Sequence, residues 1–129
     1  MKKRGVLNSD IAKIIDDLRH TDQIIIADCG LPVPKNVKQI DISLELGTPS
    51  FYSVLEVLLK DIAVEKVILA EEMKQNNVDL YQKMDTLFSD IEWVTHEEFK
   101  QLSENVKVII RTGENTPFAN VILQSAVVF

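Results

Sequence analysis

"QIIIADCGLPVP", residues 23 to 34, decides the fold. Three successive isoleucines leave no polar side to face water, so "QIIIAD" predicts a β-strand covered on both faces, as in a parallel sheet. Gly30 and Pro32 stop it, and Asp28 lands at its carboxyl end. "EKVILAEE", residues 65 to 72, repeats the pattern and runs into Glu71 and Glu72. "VKVIIRTGE", residues 106 to 114, does so again. Open α/β sheets bind ligands in the crevice outside the carboxyl ends of their strands, and this chain loads that edge with acids.

The segments between these strands read mostly as helices. In "NSDIAKIIDDLRH", Ile11, Ile14, Ile15 and Leu18 recur at helical spacing behind Asn8 or Ser9 as a cap, predicting a helix over 9–19 with His20 at its exit. "VKQIDIS" (37–43) is a second strand, and "GTPSFYSVLEVLLKDI" (47–62) is turn chemistry followed by a helix with Phe51, Val54, Leu55, Leu58 and Ile62 on one face. A polar helix over 77–88 precedes the strand "IEWV" (91–94). In "THEEFKQLSE" (95–104) Thr95 stands three residues before Glu98, the capping-box spacing, which places His96 in the first turn of a helix. After the turn "NTPFAN" (115–120) comes the apolar run "VILQSAVVF" (121–129), read as a last strand. Alternating strands and helices predict one α/β domain over 1–129 with a mixed, largely parallel sheet of about six strands, the short link before the last strand permitting an antiparallel pair.

With 129 residues, one core can bury roughly two thirds of the unfolded surface. Fourteen basic against twenty acidic residues, a net charge of -6 and no basic tract beyond "KKR" argue against a nucleic-acid partner. No stretch has the apolar length of a membrane span, and the basic opening lacks a signal-peptide core, so no membrane insertion and a cytoplasmic location are expected. Cys29 is the single cysteine, and "HEEFK" is not the HExxH of a zinc site, so neither a disulfide nor a metal is expected. With four glycines and no GxGxxG or Walker pattern, no phosphate cofactor is expected either.

The remaining chemistry rests on few residues. His20 is either a surface histidine near a helix C-terminus or, with Asp28 eight positions on, half of an acid and base pair in which a carboxylate fixes the imidazole tautomer. His96 is either a solvent-facing first-turn residue or a site residue, and Asp28 either caps the turn at "CGLP" or meets a ligand. Cys29 is a buried thiol or a nucleophile served by His20. "RTGE" is a turn with a weak claim on anions. Asn120 beside the aromatic Phe118 is a plain turn or, with a carboxylate, a sugar-binding surface.

With these segments in order, the sequence resembles the D-ribose pyranase family, sugar mutarotases related to L-fucose mutarotase. "MKKRGVLNSDIAKIIDDLRHTD", "IIIADCGLPVP", "DISLELGTPSF", "KVILAEE", "HEEFK" and "IIRTGENTPFANVIL" carry the likeness along the whole chain. The resemblance implies a three-layer α/β sandwich that interconverts the pyranose and furanose rings of free D-ribose, without cofactor or metal, in the cytoplasm beside a ribose transporter and ribokinase. It also implies a homodecamer of two stacked pentamers with sites between neighbouring subunits. It carries His20 over as proton donor, with Asp28, His96, Phe118 and Asn120 contacting the sugar. Family members commonly have tyrosine where this chain has Phe118, so a phenol hydroxyl is absent here. Two expectations follow: the helix exit and strand rim bring His20 to Asp28, and a neighbour supplies "HEEFK" or "TPFAN". A non-catalytic ribose-binding or transporter-associated protein would use the same rim for affinity alone.

Overall fold

The computed structural model describes residues 1–129. Helix α1 (Ser9–Asp17) begins where the Asn8 side chain accepts the N–H of Ile11 at 3.1 Å, and it buries Ile11 and Ile14. It ends short of the expected residue 19. Leu18 is already extended, and the Asp22 carboxylate accepts the Arg19 N–H at 2.8 Å, turning the chain into β1 (Gln23–Ala27). Then follow β2 (Lys38–Asp41), α2 (Phe51–Leu59), β3 (Val64–Ala70), α3 (Met73–Asn76), α4 (Val78–Leu87), β4 (Glu92–Val94), α5 (His96–Leu102), β5 (Val108–Arg111) and β6 (Val121–Ser125).

The six strands form one sheet in the order β2-β5-β1-β6-β3-β4. β1 runs parallel to β5, β5 to β2 and β3 to β4, while β6 is antiparallel to both its neighbours, β1 and β3. The antiparallel strand that the sequence permits is therefore present, yet β5 is not its partner. The link between β5 and β6 crosses the carboxyl end of β1 instead, tied there by the Thr112 N–H and hydroxyl, which donate to the Ala27 carbonyl at 3.0 and 2.7 Å.

Burial on both sides explains the unbroken isoleucines. Ile24 and Ile26 join the core under α1, α2, α3 and α4, whereas Ile25 and Ala27 join Phe99 of α5 on the opposite face, making three layers. Each fully buried isoleucine side chain contributes about 1.5–3 kcal/mol. The apolar tail behaves differently from its reading as strand. β6 stops at Ser125, the Ala126 N–H makes a last bond to the Ala63 carbonyl, and Val128 and Phe129 are 90% and 100% exposed. Pairing ends because β3, its neighbour, begins only at Val64.

Ion pairs fasten the strand ends. Arg111 of β5 donates through Nη1 to Asp41 of β2 at 3.0 Å. The Asp41 carboxyl is held below its ordinary 3.8, chiefly by the Ser43 hydroxyl and N–H, with Arg111 adding to both. Asp22 is likewise lowered, by the Arg19 N–H first and then by Lys107. A carboxyl depressed in the folded state stabilises above its unfolded pKa and loses that contribution as pH falls through the folded value. The thermal midpoint is thus expected to drop below about pH 4 and to be insensitive to these groups above pH 5. Circular-dichroism melts from pH 2 to 6 check this, with Asp41→Asn expected to flatten the acid limb.

Candidate functional site

The antiparallel run of β6 builds the site. Ile26 of β1 pairs with Val121 of β6, so Asn120, just before β6, arrives beside Asp28, just after β1. The two lock reciprocally: the Asp28 N–H donates to Asn120 Oδ1 at 2.9 Å, and Asn120 Nδ2 donates to Asp28 Oδ2 at 3.0 Å. Gly30 N–H donates to the other carboxylate oxygen, Oδ1, at 2.9 Å. Asn120 is 1% exposed, while Asp28 is half-buried. A carboxylate oxygen can accept more than one hydrogen bond, so Asp28 is fixed in place and still able to take hydroxyl protons from a ligand. It both closes the "CGLP" turn and faces the rim.

His96 opens α5, where the Thr95 hydroxyl accepts the Glu98 N–H at 3.1 Å, the bond the spacing predicts. The N–H of His96 itself donates to the Glu72 carboxylate, at 3.0 and 2.9 Å to its two oxygens. Its ring stands edge-on to Phe118, with centroids 5.0 Å apart and planes at 80°. His96 Nδ1 is buried and has no hydrogen-bond partner, a group whose desolvation is uncompensated in the single chain.

Phe118 adopts a left-handed backbone, φ 56°, a conformation that costs a non-glycine residue about 1–2 kcal/mol and concentrates at functional sites. Its loop is over-determined. Asn77 Nδ2 donates to Thr116 Oγ1 and to the Pro117 carbonyl, both at 2.9 Å, and the Glu114 carboxylate accepts the Thr116 hydroxyl at 2.7 Å. The other Glu114 oxygen accepts the N–H of Phe51, the first residue of α2, at 3.0 Å.

Asp28, His96, Phe118 and Asn120 therefore gather at one edge, but His20 does not join them. It lies in the turn before β1, 52% exposed, with Nε2 3.0 Å from Glu65 Oε2. Extended chain rises about 3.3 Å per residue, so the length of β1 alone sets it roughly 17 Å from Asp28. The expected contact between them is absent within the chain, because a strand lies between the helix exit and the rim. The expected division of the site changes too: "HEEFK" and "TPFAN" sit with Asp28 on the same chain. Cys29 has no histidine base in His20 for the same reason.

In "RTGE" Arg111 is turned to the chain itself, Nε donating to the Cys29 carbonyl and Nη1 to Asp41 and Ser43. No group of three or more His, Cys, Asp or Glu side chains is arranged to hold a metal ion. Five clefts of about 250 to 660 Å³ on the surface are lined by other residues, not by Asp28, His96, Phe118 or Asn120. Sequence reasoning missed Glu72, Asn77 and Glu114 as supports. Glu72 was at least visible as an acid at a strand end, whereas its grip on His96 depends on non-local geometry.

Comparison with known proteins places this arrangement. Residues 1–128 match the RbsD / FucU transport protein family. The chain belongs to that family. A D-ribose pyranase of Staphylococcus haemolyticus is 58% identical over 129 residues, covering 100% of both chains, and one of Bacillus cytotoxicus is 54% identical over 131 residues with the same coverage. The structure of Bacillus subtilis RbsD complexed with D-ribose matches this RbsD / FucU chain with a TM-score of 0.97 at 53% identity, over 100% of each. The mixed six-stranded sheet is thus shared with a solved member of the family.

Proposed function

We propose that the chain is a D-ribose pyranase, an isomerase that interconverts the pyranose and furanose forms of free D-ribose and so supplies the sugar for phosphorylation by ribokinase. The observation that carries this reading is the locked Asp28–Asn120 pair beside His96 and Phe118, an array of acceptor, donor and aromatic face suited to a small polyol. The similar proteins named D-ribose pyranase, and the RbsD complexed with D-ribose, support the choice of sugar.

The chemistry asks little of the protein. Opening a hemiacetal removes the proton of the anomeric hydroxyl and delivers one to the ring oxygen; reclosing through another hydroxyl reverses both transfers. No strong nucleophile or cofactor enters, and a positioned acid and base supply about 10² to 10⁴ in rate. In this reading Asp28 accepts sugar hydroxyls, Asn120 holds Asp28 and offers its own amide, His96 contacts the sugar through the rim, and Phe118 packs on its C–H face. His20 carries the proton.

His20 must then come from a neighbouring subunit. Its distance from Asp28 in one chain supports a site completed between subunits, in a decamer of two stacked pentamers acting in the cytoplasm. Each chain, as a single domain over 1–129, gives His20 to one site and Asp28, His96, Phe118 and Asn120 to another.

Magnetisation-transfer NMR between the pyranose and furanose signals of ribose tests the proposal directly. Exchange is expected to rise in proportion to added protein. Binding of ribose without faster exchange would instead identify a non-catalytic sugar-binding protein.

A further inference from the structure

We propose that Glu65 is the positioning residue of His20, fixing its neutral tautomer with the proton on Nε2 and leaving the Nδ1 lone pair for the sugar. The proposal rests on the reading of His20 as the proton carrier.

At the amino-terminal edge of the sheet three side chains lead to His20 in a row. Gln23 Nε2 donates to Gln124 Oε1 at 2.9 Å, Gln124 Nε2 donates to Glu65 Oε1 at 2.8 Å, and Glu65 Oε2 faces His20 Nε2 at 3.0 Å. Direction along this row is forced. A carboxylate only accepts, so Gln124 must turn its amide nitrogen to Glu65 and its oxygen to Gln23, and the imidazole must present an N–H. The Gln124 and His20 hydrogen bonds hold the Glu65 carboxyl below its ordinary range, keeping it ionised at neutral pH.

The backbone is shaped for the same contact. β3 pairs with β6 through Val64 to Ser125 and then Lys66 to Gln124, so Glu65 is an extra residue, bulged out of the ladder. Bulges of this kind re-aim a side chain beside functional sites. Thr21, next to His20, is left-handed at φ 71°, a conformation a β-branched residue adopts only when its surroundings impose it. Here its N–H is held by the Ser125 carbonyl at 3.0 Å, one residue beyond Gln124. Lys107 Nζ ties the far side of the turn to Asp22 at 3.1 Å. A bulge, a left-handed residue and a directed row of amides thus converge on one imidazole.

The test uses 15N-histidine-labelled wild type and E65Q, with the His20 tautomer read from long-range proton–nitrogen spectra and ribose exchange measured on the same samples. The expected results are an Nε2–H tautomer in the wild type, a mixed population in E65Q, and a fall in kcat of about tenfold or more with KM within about twofold, since a misassigned tautomer impairs transfer rather than binding. The double variant H20A/E65Q is expected to be no slower than H20A. An Nε2–H tautomer and unchanged kcat in E65Q would overturn the proposal, as would an extra loss in the double variant. If wild type fails to accelerate exchange, the functional reading falls, while the tautomer comparison still decides whether Glu65 governs His20.

Discussion

His20→Ala is expected to remove about 10² to 10⁴ of the acceleration of ribose ring exchange, the share that a positioned acid and base supply, while leaving the melting temperature nearly unchanged. The side chain is 52% exposed and its side-chain partner is Glu65, so the fold loses little with it. A sharper result comes from mixing. If one subunit gives His20 and its neighbour Asp28, then co-assembling H20A and D28N chains in equal amounts regenerates about a quarter of the sites as intact pairs. Each variant alone stays inactive. Saturation-transfer rates on the mixed assembly check this, and an inactive mixture would mean that the two residues do not serve one site from different chains.

The second large effect is expected at Gly113, where alanine should cost about 3 kcal/mol or more through overpacking against backbone. A Cβ there would run into the carbonyl oxygens of Thr48 and Glu45, neither of which can step aside as a side-chain tip would. The same residue clips two loops together, its N–H donating to the Pro49 carbonyl at 2.9 Å. Glu114 follows directly, gripping α2 and the loop that carries Phe118 and Asn120. G113A is therefore expected to lower the melting temperature by about 10 °C and to raise KM for ribose as that loop loosens. Calorimetry and exchange kinetics check both; a drop under about 2 °C would show that the clip opens without strain.

Much of the frame was legible because it is locally encoded. "QIIIAD" announces a two-sided strand by its unbroken β-branched run, and Thr95 with Glu98 announces the start of α5; the structure shows each. Asp28 could be placed at the rim from these elements alone, whereas His96 could be placed only in the first turn of α5, its nearness to Phe118 being a contact across the fold. Placing His20 needed one further step, the direction and length of β1: a residue before a strand and a residue after it occupy opposite edges, however near in sequence. The supports lay further out of reach. That Glu65 bulges, or that Glu72 accepts the His96 N–H, depends on strand register and on contacts across the fold, which no local pattern records. "SAVVF" misled for a related reason, since its β-prone composition continues past the point where a neighbouring strand exists to receive it.

The place of β6 bears on how the protein is made. A ribosome delivers β6 after the other five strands, yet β6 is the piece that joins β2-β5-β1 to β3-β4. Until it emerges, β1 and β3 each present a bare apolar edge, open to pairing with another nascent chain. Slow translation of the last codons would prolong that exposure, and shielding by a chaperone would matter most in that interval.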